Sequence, residues 1–206
     1  MQKPTGYDEA KASGEYTPVE LGGHYAVIKQ VSEKTTSTGT EMIVVVLDFA
    51  GNDKQPEYHS KAFQADDRED KKWPYNGTKW IFVNDMGDRT KTSRAFKTFC
   101  TCFEKSNGVQ IQWGGSNWGQ QFKGKKIGVV YGEEENEYDG KITMRRVPRW
   151  FCDWKKVNDQ KIPDPKYLPG HDASTVKAAS TSTGAGTTAD SYANMTTGAD
   201  EEEIPF

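Results

Sequence analysis

The alternation of apolar and polar positions predicts five strands and one helix. Residues 24–31 follow the pair Gly22 and Gly23 and read as a first strand; residues 42–49 are strongly β-branched and read as a second. A third strand, at 78–83, is introduced by the turn signal of Asn76 and Gly77. Between 92 and 106 the period changes to that of a helix, with Ala95, Phe99, Cys102 and Phe103 on one face and Gly108 placed to end it. Residues 125–131 and 141–151 give strands four and five, joined by an acidic hairpin loop at 132–140, and Pro148 favours an edge position or a bulge in the last strand. Residues 52–77 are irregular and charged, with a short extended piece near 58–63, and residues 111–122 read as a loop with exposed aromatics. Strand, strand, strand, helix, strand, strand is the order of an OB-fold. The expected fold is therefore all-β with one helix: a five-stranded Greek-key β-barrel followed by a disordered C-terminal tail.

The tail follows from composition. Residues 172–200 are mostly Ser, Thr, Ala, Gly and Asp, with Tyr192 the one aromatic, too little apolar surface to offset the entropy of ordering them. The chain divides into an N-terminal lead-in (1–20), a domain (21–169), a linker (170–199) and an acidic tip (200–206). The net charge of -3 hides an asymmetry, because residues 170–206 carry a balance of -5 and the remainder about +2. A mildly basic body beside an acidic tail fits an anion-binding domain carrying its own competing anion, and equally a solvated surface with a solubility tail. No run of 18 apolar residues occurs and the N-terminal stretch is polar, so the expectation is a soluble, cytoplasmic protein. Cys100, Cys102 and Cys152 have neither zinc-knuckle nor redox spacing and read as buried free thiols.

Binding single strands needs cations for phosphates and flat rings for bases. The chain interleaves the two at Lys72, Trp73 and Tyr75, at Lys79, Trp80 and Phe82, and at Arg145, Arg146, Arg149 and Trp150, with Lys125 at the start of strand four. Strand alternation puts Trp80 and Phe82 on one face and Lys79 and Ile81 on the other, so one set alone can meet the nucleic acid. Core packing competes with stacking for Trp80 and Phe82, whereas Trp73 and Tyr75 lie in a polar segment and read as stackers. Arg145 and Arg149 form either an exposed basic ladder or salt bridges to Glu133, Glu134 and Glu135 across the hairpin. Capping the barrel, binding bases and packing against another subunit are all open to Trp113 and Trp118.

Residues 23–28, 37–49 and 122–131 resemble bacteriophage-encoded OB-fold proteins of replication and recombination. The tip formed by Asp200, Glu201, Glu202, Glu203, Ile204, Pro205 and Phe206 is similar to the C-terminal tip of bacterial single-stranded DNA-binding proteins, with Glu in place of the more usual Asp. The resemblance implies a protein that coats and protects single-stranded DNA without sequence specificity. It also implies recruitment of replication, recombination and repair proteins through the tip, in the host cytoplasm if phage-encoded. It leaves oligomeric state open, homo-oligomer included.

No cofactor, metal or membrane partner is expected. The three histidines lie in unrelated contexts, and no HExxH, GxSxG, Walker A or zinc-ligand spacing occurs, so the chain does not read as an enzyme. Duplex DNA or RNA is the nearest alternative ligand. A phage structural protein, or a Mg-dependent nuclease using clusters such as Asp66 and Asp67, is the alternative from another class.

Overall fold

The structure, a computed structural model, describes residues 3–6 and 17–173. Its strands are β1 (Gly22–Thr35), β2 (Glu41–Phe49), β3 (Thr78–Phe82), β4 (Lys126–Tyr138) and β5 (Lys141–Cys152); its helices are α1 (Tyr58–Gln64) and α2 (Arg94–Asn107). All five strands join one sheet in the order β3-β2-β1-β4-β5. The long first strand serves two partners, both antiparallel: its first half pairs with β4 and its second with β2, the register shifting around Lys29. The predicted linker and tip, apart from residues 170–173, lie outside the described residues. Among the described residues no helix is long and apolar enough to cross a membrane.

The chain forms two compact units. The larger one, Val19–Glu134 with Met144–Lys166, holds the core, where Ile28, Ile43, Val45, Leu47, Ile81, Ile127, Val129 and Tyr131 meet Phe96, Phe99 and Phe103 of α2. The α2 helix begins at Ser93, whose hydroxyl accepts from Phe96 N–H at 3.1 Å, and ends at Gly108 with φ 66, a left-handed cap that glycine adopts without strain. On the outer face of β1 and β4, the end of β5 and the segment after it lie so close that a Cβ on Gly23 would stand 2.1 Å from Val157 O, and one on Gly128 2.5 Å from Cys152 Sγ and 2.8 Å from Val157 Cγ2. That face is thereby covered. In the smaller unit, buried Glu135 accepts from Leu168 N–H at 2.9 Å and lies 3.0 Å from His171 Nδ1.

Four expectations need correction. The piece near 58–63 is helical, because the buried carboxylate of Asp48 accepts from the backbone N–H groups of His59 (3.0 Å) and Ser60 (3.3 Å) and so caps α1 from another strand. The acidic run at 132–138 is strand rather than loop. Asp139 and Gly140 both have positive φ, the geometry of a two-residue hairpin turn, and the strands run up to it. On α2 the buried face is Phe96, Phe99, Cys100 and Phe103, while Ala95 is exposed and Cys102 half-buried. Trp118 is buried, not a loop ornament: the turn Trp118–Phe122 lies against β1 so closely that a Cβ on Gly119 would come within 2.0 Å of Val31 O.

A buried polar cluster ties β1 to the turn after β2. His24 Nδ1 lies 2.9 Å from Asp53 Oδ1 and His24 Nε2 lies 2.8 Å from Glu20 O. A carbonyl and a carboxylate both accept, so the geometry is that of an imidazolium donating from both nitrogens. Its ring stacks on Phe49 at 4.1 Å. Burial pushes the Asp53 carboxyl up, yet the His24 hydrogen bond, backbone N–H donors from Gln55 and Tyr25, and the charge of His24 hold it below the ordinary value.

Candidate nucleic-acid interface

The β3 strand alternates as expected. Ile81 is buried, while Trp80 and Phe82 point away from the core and are 39% and 37% exposed, which decides the question of core or surface in favour of surface. The opposing residue to Trp80 in the ladder, Val44, is itself buried. Directly before β3, the tight turn Tyr75–Gly77 presents Tyr75, whose ring lies 5.2 Å from that of Trp80. The guanidinium of Arg145, on β5, stands 5.6 Å above the Tyr75 ring. Two rings from the turn and β3 and a cation from β5 thus share one surface, and Phe82 continues it along β3.

The turn carrying Tyr75 is held from below. Trp73 packs on Phe63 at 5.7 Å and donates from Nε1 to Gly77 O at 3.3 Å. A Cβ on Gly77 would meet Trp73 Nε1 at 2.4 Å and His59 Cγ at 2.9 Å, so this position admits glycine alone. Tyr131 donates its hydroxyl to Asn76 O at 2.5 Å and lies 3.1 Å from His59 Nε2. Because that hydroxyl hydrogen is committed to Asn76, His59 donates from Nε2 and is neutral. Burial drives its pKa down; the Asp48 charge opposes this and the His24 charge reinforces it, leaving about 4.

The remaining predicted residues are dispersed. Trp73 is half-buried and supports the turn rather than lying open. Lys79 turns away from Trp80 and is half-buried. Burial lowers its pKa, Glu134 opposes this, and Arg149 and Lys166 add to it. Arg146 donates to Val19 O at 2.7 Å and lies 3.6 Å from Glu133. Arg149 donates to Glu133 O at 2.8 Å, and Trp150, still 39% exposed, donates to Gln160 at 3.3 Å. Lys72 and Lys125 are exposed.

Three cations that sequence patterning passed over, Lys91, Arg94 and Lys97, line a shallow hollow with Asp85, Thr98 and Cys102. It adjoins the end of β3, since Ser93 donates from its hydroxyl to Phe82 O at 2.5 Å and from its N–H to Val83 O at 2.8 Å. Their positions, spread over a loop and a helix turn, give no periodic signal. Of the acidic candidates, Asp66 is hydrogen-bonded by Arg68, which pulls its pKa to about 2, and Glu134 pairs with Lys166 at 3.0 Å. The thiols of Cys100, Cys102 and Cys152 are free, and burial pushes them up to about 11, 11 and 12, leaving them protonated at neutral pH.

The chain matches no protein-family model, and no curated protein matches it.

Proposed function

We propose that this chain is a single-stranded DNA-binding protein of the kind bacteriophages encode, with an OB-type body that coats single strands without sequence preference. The observation that carries the reading is the shared surface of Tyr75, Trp80 and Arg145, extended by Phe82. Rings with open faces stack on any base, and a cation beside them meets the phosphates between bases. The strand order β3-β2-β1-β4-β5, with α2 between β3 and β4, agrees with an OB topology, as does the approach of Arg145 on β5 to Tyr75 before β3. The covered outer face of β1 and β4 is closed to a ligand, which supports the β3 side as one point of contact.

Because Trp80 is exposed, Trp80→Ala separates binding from folding. Affinity for a single strand is expected to fall by about 1–3 kcal/mol, with the melting temperature close to that of the unaltered protein. Affinity of the unaltered protein should fall with rising salt and exceed that for duplex of the same length. Titration of a labelled oligonucleotide, single- and double-stranded, at several salt concentrations tests this. Equal affinity for the two forms, or no effect of Trp80→Ala, would overturn the reading, and degradation of the strand with Mg²⁺ would favour a nuclease.

The acidic tip, outside the described residues, completes the proposal as a docking peptide for replication, recombination and repair proteins in the host cytoplasm. Phe206 offers a ring, Pro205 restricts the backbone, and Glu201 to Glu203 meet a basic rim. Deleting Phe206 should abolish recovery of such partners in a pull-down and leave DNA affinity unchanged. Equal recovery by both forms would remove the docking role.

A further inference from the structure

Trp113 is 65% exposed, the most exposed large apolar side chain among the described residues. It is nevertheless held in place. Its ring lies nearly parallel to buried Trp118 (5.8 Å, 22°) and 6.2 Å from Phe96 of α2, so one side is backed by the core and the other is open. The backbone beside it is clamped: Gln121 accepts from Gln112 N–H at 2.9 Å and donates to Gln112 O at 3.0 Å and to Trp118 O at 2.9 Å. One residue earlier, Glu104 accepts from Ile111 N–H at 3.0 Å. Gly114 and Gly115, with φ 87 and 90, turn the chain away immediately after the ring and add no side chain beside it. The ring is thus backed on one side and carried on hydrogen-bonded backbone, with partners other than those of Tyr75 and Trp80.

The surroundings select the occupant. From Lys105 to Gly132, both included, the chain carries four lysines and no carboxylate side chain, and the carboxylate just before this stretch, Glu104, is engaged by Ile111 N–H. Arg94 and Lys97 line the hollow on the exposed side of α2, the helix whose buried Phe96 supports Trp113, and Lys123 follows Phe122, on which Trp118 packs at 4.6 Å. The neighbours of Trp113 along the chain carry amides, a hydroxyl or no side chain: Gln110, Gln112, Gly114, Gly115, Ser116 and Asn117. A protein partner anchored on a Trp is ordinarily met by a close apolar collar that excludes water, which these residues do not supply. An isolated ring with uncharged hydrogen-bonding neighbours and cations beyond them fits a planar polar ring carried on a polyanion.

We propose that Trp113 is a second stacking platform for an unpaired base of single-stranded DNA, with Arg94 and Lys97 of α2 meeting the adjoining phosphates. The proposal rests on the single-strand reading above and adds to it a second point of contact along the strand. A strand long enough to reach both platforms gains a stack and phosphate contacts that a short one held at Tyr75 and Trp80 does not.

The test uses the full chain and labelled oligo-dT of about 4 and about 16 nucleotides. Trp113→Ala is expected to weaken the long oligonucleotide by about 5- to 150-fold, the equivalent of one stack, and to leave the short one unchanged. Trp113→Phe, which keeps a ring, should restore most of the loss. The double variant Arg94→Ala with Lys97→Ala should flatten the salt dependence for the long strand, with the slope on a log–log plot falling by roughly 0.7 per cation removed. If Trp80→Ala weakens binding while Trp113→Ala binds the long strand as the unaltered protein does, the second platform is wrong and the single-strand reading stands. If the unaltered protein binds neither strand, both fall. Failure of Trp113→Phe to restore affinity would overturn stacking as the contact. Self-association that Trp113→Ala abolishes, with DNA affinity unchanged, would assign the ring to a second copy of the chain instead.

Discussion

Replacing His24 by Ala is expected to lower the free energy of unfolding by about 3–5 kcal/mol, because it leaves the Asp53 carboxylate without its cation in the interior. Both side chains are almost fully shielded, and the imidazole also stacks on Phe49 and bonds Glu20 O, so water cannot take over any of the three roles without opening the structure. The control is the pair of variants taken together. Asp53→Asn combined with His24→Ala should cost less than the two single costs added, since the second change removes the charge that the first strands. Urea unfolding of the four proteins measures this; a cost for His24→Ala below about 1 kcal/mol would show the ion pair to be incidental. The consequence reaches the binding surface. The Asp53 turn connects β2 to α1, and the chain after α1 leads to Trp73 and Tyr75, so a loosened turn should also weaken single-strand binding.

The second large effect is on acid stability. His59 has an ordinary value of 6.5 and a value of about 4 in the fold. Between these values the unfolded chain binds a proton that the folded chain refuses. The contribution is therefore complete above about pH 6.5 and is lost as pH falls through 4, amounting to about 3 kcal/mol. Asp53, held below its ordinary 3.8, has the same sign, but its contribution disappears only at lower pH. Comparing unfolding free energies at pH 7 and pH 4.5 thus isolates the histidine when His59→Gln is measured alongside: Gln can still donate to Tyr131 but does not titrate. The unaltered protein should lose most of the 3 kcal/mol over this interval in excess of the variant. Identical pH dependence in the two would refute the assignment. Since His59 donates to Tyr131 and Tyr131 to Asn76, the folded protein keeps the support of Tyr75 across this interval, and single-strand affinity should decline only as pH falls through about 4.

These two clusters explain how a surface site can be rigid without being buried. Stacking is effective when the ring is already placed, because ordering a rotamer-rich side chain on binding costs about 0.5–1.5 kcal/mol. Here the turn beneath Tyr75 is fixed by Trp73, Tyr131 and the absent side chain of Gly77, and Trp80 is fixed by the ladder between β2 and β3. The hydrogen bonds of Gln121 do the same for Trp113.

What the amino-acid order determined by itself was local. Side-chain alternation set the inward Ile81 and the outward Trp80 and Phe82, since strand period depends on the backbone alone. The β-branched run of β2, the helical spacing of α2 and its glycine cap were legible for the same reason. Features whose partners are far apart in sequence were decided by tertiary structure alone. The α1 helix depends on a cap from Asp48, eleven positions before His59, and no local signal announces it. The Asp139 and Gly140 turn is readable in the sequence, but the charge of the acidic run before it points to loop, and only pairing within the sheet makes it strand. Trp118 became core, and Trp113 stayed outside, only because the turn around Gly119 packs against β1, a contact that glycine permits and composition disguises. Lys79, Arg146 and Arg149 looked equivalent to Arg145 as cations near aromatics, yet burial and carbonyl acceptors engage them while Arg145 is carried to Tyr75. A side chain's partner depends on where the sheet brings its strand, and that is a property of the assembled fold.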